Sequence, residues 1–285
     1  MKKLAVIACG WHYPSQFYEQ MSRQLLPDGW EQDLFVVGHR DPNYSHNEKI
    51  LKTDDNLLSV LDRILYKTPV TKELLNLLGW KYIEGQSGCE WQSANTWLTL
   101  NDHEQYDCLV FCGDDALILN KNLIYDVLTG QCKLLDNIKI GDRWVATETK
   151  DTNDWLVISN SRQPRGLALR GSFEFFKPEV ITAIGGLFDL SKITLNRVGE
   201  TTTPTNYNAL TDWNNHIAPF VHTMTELGLY DKIKYMSDNY RASDYIVECE
   251  RGYLNNVNTL SDAYLSKINS LYNEGKFNEL LNEYK

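Results

Sequence analysis

Asp114 and Asp115 stand side by side in YDCLVFCGDDALIL, Tyr106 to Leu119, at the end of one apolar run and the start of another. Adjacent carboxylates repel each other, and desolvating either is costly unless a cation or hydrogen-bond donors compensate. A divalent metal is the compensation that makes chemical use of the pair, because carboxylate oxygens are hard ligands suited to Mg²⁺ or Mn²⁺. The structural alternative is a strand ending in a polar turn, with Asp115 capping a short helix.

What positions the pair is the run before it. Cys108 to Cys112 is continuously apolar, the pattern of a strand buried on both faces of a parallel sheet. In open α/β sheets the ligand crevice lies just past the carboxyl ends of such strands. Three more strands are expected upstream, in LAVIAC (Leu4 to Cys9), DLFVVG (Asp33 to Gly38) and KYIEG (Lys81 to Gly85). Between them Phe17, Met21 and Leu25 recur every four residues, and Leu57, Leu58, Leu61, Ile64 and Leu65 mark one face of a second helix. Strands alternating with helices imply βαβ units, so the class is α/β with a mostly parallel sheet flanked by helices. Residues 1–130 read as a Rossmann-like half.

Residues 131–259 read as a second half of the same domain. DRWVAT, DWLVIS and ALRGSFEFF are strand-like, and 195–210 is a loop rich in Thr, Asn and Pro. A helix follows through Ile217, Phe220, Val221, Met224 and Leu227, with Pro219 at a kink or start and Gly228 as its C-cap. Residues 260–285 form a small helical tail, two short amphipathic helices meeting around Glu274 and Gly275.

At 285 residues the chain has room for one large or two small domains. Its 28 basic and 38 acidic side chains leave a net charge of -10, which argues against an extended nucleic-acid channel while leaving room for a local basic pocket. No apolar run reaches the roughly 18 residues of a membrane-spanning helix. The start, MKKLAVIACGWHYP, has too short an apolar part and no small-residue cleavage pattern, so it reads as a first strand and not a signal peptide. Six cysteines, at 9, 89, 108, 112, 132 and 249, show neither CxxC nor zinc spacing. Several fall in the apolar strands, as small core residues of a reducing compartment would, and a cytoplasmic location is expected.

The order of these features resembles the GT-A glycosyltransferases, particularly those of family 2, over most of the first 230 residues. GCEWQSANTWL offers Gly88, Ala94 and Asn95 as a G…A…N element opening a helix; FCGDDALIL stands at the DxD position; GSFEFFKPEVITAIGGLFD supplies a GGFD-like element with Gly185, Gly186, Phe188 and Asp189. The match departs from the pattern at Cys112, which replaces the first Asp of DxD and leaves Asp114 as metal ligand with Asp115 beside it. The resemblance implies a metal-dependent hexosyltransferase that moves a sugar from a nucleotide-sugar donor, a UDP-sugar by family frequency, to a glycan or other hydroxyl acceptor. Mn²⁺ or Mg²⁺ would bridge the diphosphate and stabilise it as the leaving group.

It also implies where the other groups lie. The base pocket falls past the first two strands, at Gly10, Trp11 and His12 and at His39, Arg40 and Asp41, with Gly88 and Asn95 on the nucleotide side. The family's ED element, source of the general base, is missing; Glu200 in RVGET and Asp212 in LTDWNN are the substitutes, with Asp189 a third carboxylate. Asp212 lies 23 residues after Asp189 and would serve equally as a helix N-cap. His216, four residues after Asp212, and His222 are candidates to complete the metal shell, and Arg165 and Arg170 to meet the diphosphate. Trp91, Trp97, Trp155 and Trp213 would line an acceptor groove or simply fill the core.

Three rival readings stand beside it. GDD between apolar runs, with QSGCEWQSANTW upstream, is similar to the catalytic hairpin of RNA-dependent RNA polymerases, over Ser87 to Leu119 only. A non-catalytic glycan-binding GT-A domain would account for the missing ED element. A nucleotidyltransferase would want a Gly-rich, basic loop after the first strand, and CGWHYPSQ is neither.

Overall fold

Alternating side chains of the first strand divide between two hydrophobic cores, and the architecture follows from that division. In the computed structural model, which describes residues 1–38, 42, 68–85, 90–140, 143–161, 173–189, 223–238, 242–248, 270 and 274, β1 spans Lys2–Gly10. Leu4, Val6 and Ala8 enter one core with Phe17, Tyr18 and Met21 of helix α1 (Ser15–Ser22). Ala5 and Ile7 enter the other with Trp91, Ala94, Trp97 and Leu98 of helix α3 (Glu90–Leu100). A strand apolar on both faces has to lie inside a sheet covered on both sides.

β2 (Trp30–Gly38) and β4 (Cys108–Gly113) flank β1, and β3 (Trp80–Glu84), preceded by the short α2 (Lys72–Leu77), pairs with β2 on the outside. All three pairings are parallel, with Gly10 opposite Gly38, Gly38 opposite Glu84 and Cys9 opposite Gly113. The α/β class and the parallel sheet expected from the alternation are therefore present in β3-β2-β1-β4.

Past β4 the sheet becomes mixed. β6 (Leu135–Ile140) and β7 (Arg143–Glu148) form an antiparallel hairpin at the far edge, and β8 (Val157–Ser159), β9 (Phe173–Phe176) and β10 (Ile233–Tyr235) fill the space between. The order of the nine strands is β3-β2-β1-β4-β9-β8-β10-β6-β7. β9 is antiparallel to both β4 and β8, so β8 runs in the direction of β4, and β10 is parallel to β8. Helix α5 (Pro178–Ala183) packs Val180 and Ile181 onto the α3 side.

A second, two-stranded sheet joins β5 (Ala116–Ile118), directly after the aspartate pair, to β11 (Ile246–Glu248), with Glu248 opposite Ala116; α4 (Leu123–Leu128) follows β5. These three-residue strands carry too little pattern to be expected. β5 is tied to α1 by a buried glutamine: Gln20 Nε2 donates to the Ile118 carbonyl at 2.7 Å, and the Ile118 N–H donates to Gln20 Oε1 at 3.0 Å. α1 is shorter than its periodicity suggests, ending at Ser22, and Leu25 lies beyond it and is exposed.

Cys9, Cys108, Cys112 and Cys132 are buried, as small core residues. Trp91, Trp97 and Trp155 are also buried, which settles them as core. Among the described residues no helix is long and apolar enough to cross a membrane. Gly228 has φ +70°, and the Leu229 N–H reaches back to the Met224 carbonyl, as a C-cap requires. The helix expected at 57–65, the loop at 195–210 and all but Ser270 and Glu274 of the tail lie outside the described residues.

The Gln20 link generates a prediction. Gln20→Leu preserves volume but strands a buried N–H and a buried C=O on Ile118, so it should cost about 2–4 kcal/mol of stability. Urea unfolding followed by circular dichroism measures this, and an unchanged midpoint would show that β5 needs no tie to α1.

Candidate functional site

The chain winds from β1 to β2 to β3 in one direction, then returns to place β4 on the other side of β1. Strand order therefore reverses between β1 and β4, the switch point at whose carboxyl ends open α/β sheets form their ligand crevice. The segments that leave these ends are Trp11-His12-Tyr13 after Gly10 and Asp114-Asp115 after Gly113.

Asp114 reaches across that crevice. Its Oδ2 accepts from the N–H groups of Trp11 at 3.1 Å and Tyr13 at 2.7 Å and from the Tyr18 hydroxyl at 3.0 Å, while the His12 N–H lies 3.1 Å from both carboxylate oxygens. The residue is 1% exposed. Burial pushes the Asp114 carboxyl up from its ordinary value, and His12 together with the Tyr13, His12 and Tyr18 donors opposes that rise. Burial, reinforced by Asp114, pushes the Tyr18 hydroxyl up as well, which keeps it a donor.

The loop held in this way has an unusual backbone. Tyr13 sits at φ +53°, left-handed space that costs a non-glycine residue about 1–3 kcal/mol. Its ring needs Gly10 to lack a side chain, since a Cβ there would stand 2.7 Å from the Tyr13 hydroxyl. The Tyr13 ring stacks on Tyr18 at 6.1 Å, and its hydroxyl shares a hydrogen bond with Tyr82 of β3. Gly10 thus serves the packing of Tyr13, a more local reason than the nucleotide contact expected of it.

These contacts revise the expectations for the aspartates. Asp114, expected as the metal ligand, has its carboxylate engaged by four donors. Asp115 caps no helix, because β5 follows it; it is half-buried at the lip of the crevice. Cys112, at the position of the first Asp of DxD, points its thiol at the Ile7 carbonyl, 3.7 Å away, and burial with the charges of Asp114, Glu174 and Asp115 pushes its pKa well up. The end of β4 therefore carries a neutral thiol and not an anionic ligand at this position. Among the described residues no three His, Cys, Asp or Glu side chains form a metal-binding group by themselves. The polymerase-like hairpin is not formed: β4 pairs with β1 and β9, and β5 with β11.

The other two motifs meet on the α3 side of the sheet. Asn95, expected at the nucleotide, uses its carboxamide on the backbone of Phe188: Nδ2 donates to the carbonyl at 2.9 Å, and the Phe188 N–H donates to Oδ1 at 2.9 Å. Gly185 and Gly186, at φ +91° and +90°, make the left-handed turn that brings Phe188 back. The Phe188 ring then packs on Trp91 at 4.5 Å and on Phe111 of β4 at 5.7 Å. Asp189 follows as an exposed carboxylate.

A buried polar group at the same edge was missed. Because β8 runs with β4, Ser159, Asn160 and Ser161 emerge at the carboxyl end of the sheet. The Ser159 hydroxyl lies 3.2 Å from Glu174 Oε1, and Asn160 Nδ2 donates to Glu248 Oε1 at 3.2 Å. Asn160 Oδ1 has no hydrogen-bond partner among the described residues. The available signal was polar residues set inside apolar strands, Glu174 in FEFF and Glu248 in YIVE. His39, Arg40, Asp41, Gly88, Arg165, Arg170, Glu200, Asp212, Trp213, His216 and His222 lie outside the described residues.

No family model and no curated protein matches the chain. Among solved structures it aligns over 92% of its length with 76% of a Drosophila β-1,4-galactosyltransferase 7 mutant in complex with manganese, UDP-Gal and xylobiose, at 11% identity and a TM-score of 0.43. It aligns over 87% of its length with 60% of an S. aureus TarS structure, at 12% identity and a TM-score of 0.37. It also aligns over 96% of its length with 99% of an apo UDP-glucose pyrophosphorylase, at 12% identity and a TM-score of 0.37. At this level of overlap the likeness assigns no residue and no activity.

The Asn95 contact is testable. Asn95→Leu leaves both polar groups of Phe188 unpaired under the aromatic cluster and should cost about 2–4 kcal/mol, read as a lowered denaturation midpoint. Wild-type stability in that variant would mean that α3 and the Gly185–Asp189 turn are not joined through Asn95.

Proposed function

We propose that this protein is a metal-dependent glycosyltransferase of GT-A type, moving a sugar from a nucleoside-diphosphate donor, a UDP-sugar in preference, to a hydroxyl acceptor. The observation that carries this reading is the meeting of the loop after β1 with the aspartate pair after β4, at the point where strand order reverses. The docking of Asn95 on Phe188 supports it, since it joins two motifs of the resemblance that lie far apart in the chain.

Each residue then has a stated task. Trp11 and His12 present the base-side wall of the donor pocket, with residues 39–41 completing it from the end of β2. Asp115 would hold the cation, with His216 or His222 as the further protein ligand. Mn²⁺ or Mg²⁺, when bound, offsets the negative charge that grows on the departing diphosphate. Arg165 and Arg170 are the candidates to meet the diphosphate. The acceptor's proton passes to a carboxylate past the glycine turn, Asp212 first, then Glu200 or Asp189. Ser159 with Glu174, and Asn160 with Glu248, place further buried polar groups at the carboxyl end of the sheet.

The test combines binding with turnover. UDP or GDP should raise the melting temperature, and Mn²⁺ should enlarge the rise; a ligand at a hundred times its Kd stabilises by about 2.7 kcal/mol. Absence of any rise with either nucleotide in Mn²⁺ contradicts the donor site. For the reaction itself, Asp115→Asn should lower metal-dependent donor turnover by about 10²-fold, the scale of a lost electrostatic contact to the transition state. Full turnover in that variant would remove Asp115 from the cation.

The proton acceptor is separately testable. Asp212→Asn should abolish transfer while nucleotide binding persists, and because Asn caps helices about as well as Asp, stability should hold. Loss of transfer in Glu200→Gln alone would move the role to Glu200, and normal transfer in both variants would discard both.

A further inference from the structure

Within the aspartate pair the structure divides labour between neighbours. Asp114 gathers the N–H groups of three consecutive residues and one hydroxyl, all from the segment between Trp11 and Tyr18, onto a carboxylate with 1% exposure. Three successive N–H groups pointing at one anion form a nest, and here the anion belongs to the protein. The same loop carries the left-handed Tyr13, a conformation that persists only where surrounding contacts over-determine it. Those contacts are the carboxylate itself, the Tyr18 stack and the space at Gly10. Asp115, one residue on, lies half-buried at the crevice.

We infer that Asp114 is a positioning residue: it fixes the Trp11–Tyr13 loop in its nucleotide-receiving shape, and through the shared backbone with Asp115 sets that loop and the cation site in fixed register. The inference rests on the donor-site reading and refines it, since it takes the metal away from Asp114 and gives Asp114 the loop that receives the nucleotide. A ligand role and a positioning role make opposite predictions. A ligand matters only when metal is present, whereas a loop anchor matters with metal or without.

The experiment compares wild type, Asp114→Asn, Asp115→Asn and Tyr18→Phe. Hydrogen exchange at the Trp11, His12 and Tyr13 amides is measured alongside the Kd of UDP in EDTA and in Mn²⁺. Asp114→Asn should lose amide protection and bind UDP about tenfold more weakly in EDTA, the size of one charged hydrogen bond, while Mn²⁺ still improves its affinity by the wild-type factor. Asp115→Asn should keep protection and EDTA affinity but lose the Mn²⁺ improvement. Tyr18→Phe removes one donor and leaves the ring, so it should show a smaller loss of the Asp114 kind, and it keeps the test decisive if Asp114→Asn fails to fold. The inference is overturned if Asp114→Asn retains amide protection and EDTA affinity and loses only the Mn²⁺ improvement, which is ligand behaviour. It is overturned equally if Tyr18→Phe matches wild type throughout. Failure of wild type to bind UDP or GDP under either condition would overturn the donor-site reading together with this one, and the wild-type arm tells that case apart.

Discussion

A buried carboxylate with four donors, three amides of one short loop and a hydroxyl of α1, is the constraint on which the rest of this site depends. Taking Asp114 out of water is expensive, and the cost is met by N–H groups that would themselves be unsatisfied at the turn between β1 and α1. Each side of the contact needs the other. Because β1 and β4 are adjacent parallel strands in fixed register, Cys9 opposite Gly113, the contact can form only when the central sheet has its present order. The crevice is thus a product of topology, and its shape is locked by one side chain.

Two further joints carry that shape outward. Gln20 ties α1 to β5, so the helix that supplies Tyr18 also holds the strand that follows Asp115. On the opposite face Asn95 ties α3 to Phe188, and the Trp91, Phe111, Phe176 and Phe188 rings fill the space beneath. In all three joints a polar side chain replaces a strand partner or a cap for a distant backbone. Such contacts are directional, and they fix the relative positions of elements in a way that apolar packing alone would leave loose.

β1, β4 and the second half of β2 were legible because each is apolar on both faces, a pattern that survives without knowledge of the partners. The mixed half was less so: β8 was read within DWLVIS, but β5, β10 and β11 are three residues long, too short for any period to show. At the site, the sequence marked the residues but not their hydrogen-bond partners. The amides of Trp11 to Tyr13 that hold Asp114 lie about a hundred positions earlier and leave no trace in side-chain chemistry. The contact of Asn95 was hidden for the same reason, its partner being the Phe188 backbone. Glu174 escaped notice although a carboxylate within FEFF was the plainest sign of a buried polar cluster. The tryptophans, by contrast, went where large aromatic side chains usually go.

Locating the metal and the nucleotide together tests the central claim most directly. A crystal grown with UDP and Mn²⁺, with the ion found by its anomalous scattering, should place Mn²⁺ on the Asp115 carboxylate and the nucleotide base against Trp11 and His12, with Asp114 still holding the three amides. Mn²⁺ coordinated by Asp114 with the loop released, or UDP bound away from the β1–β4 crevice, would contradict it.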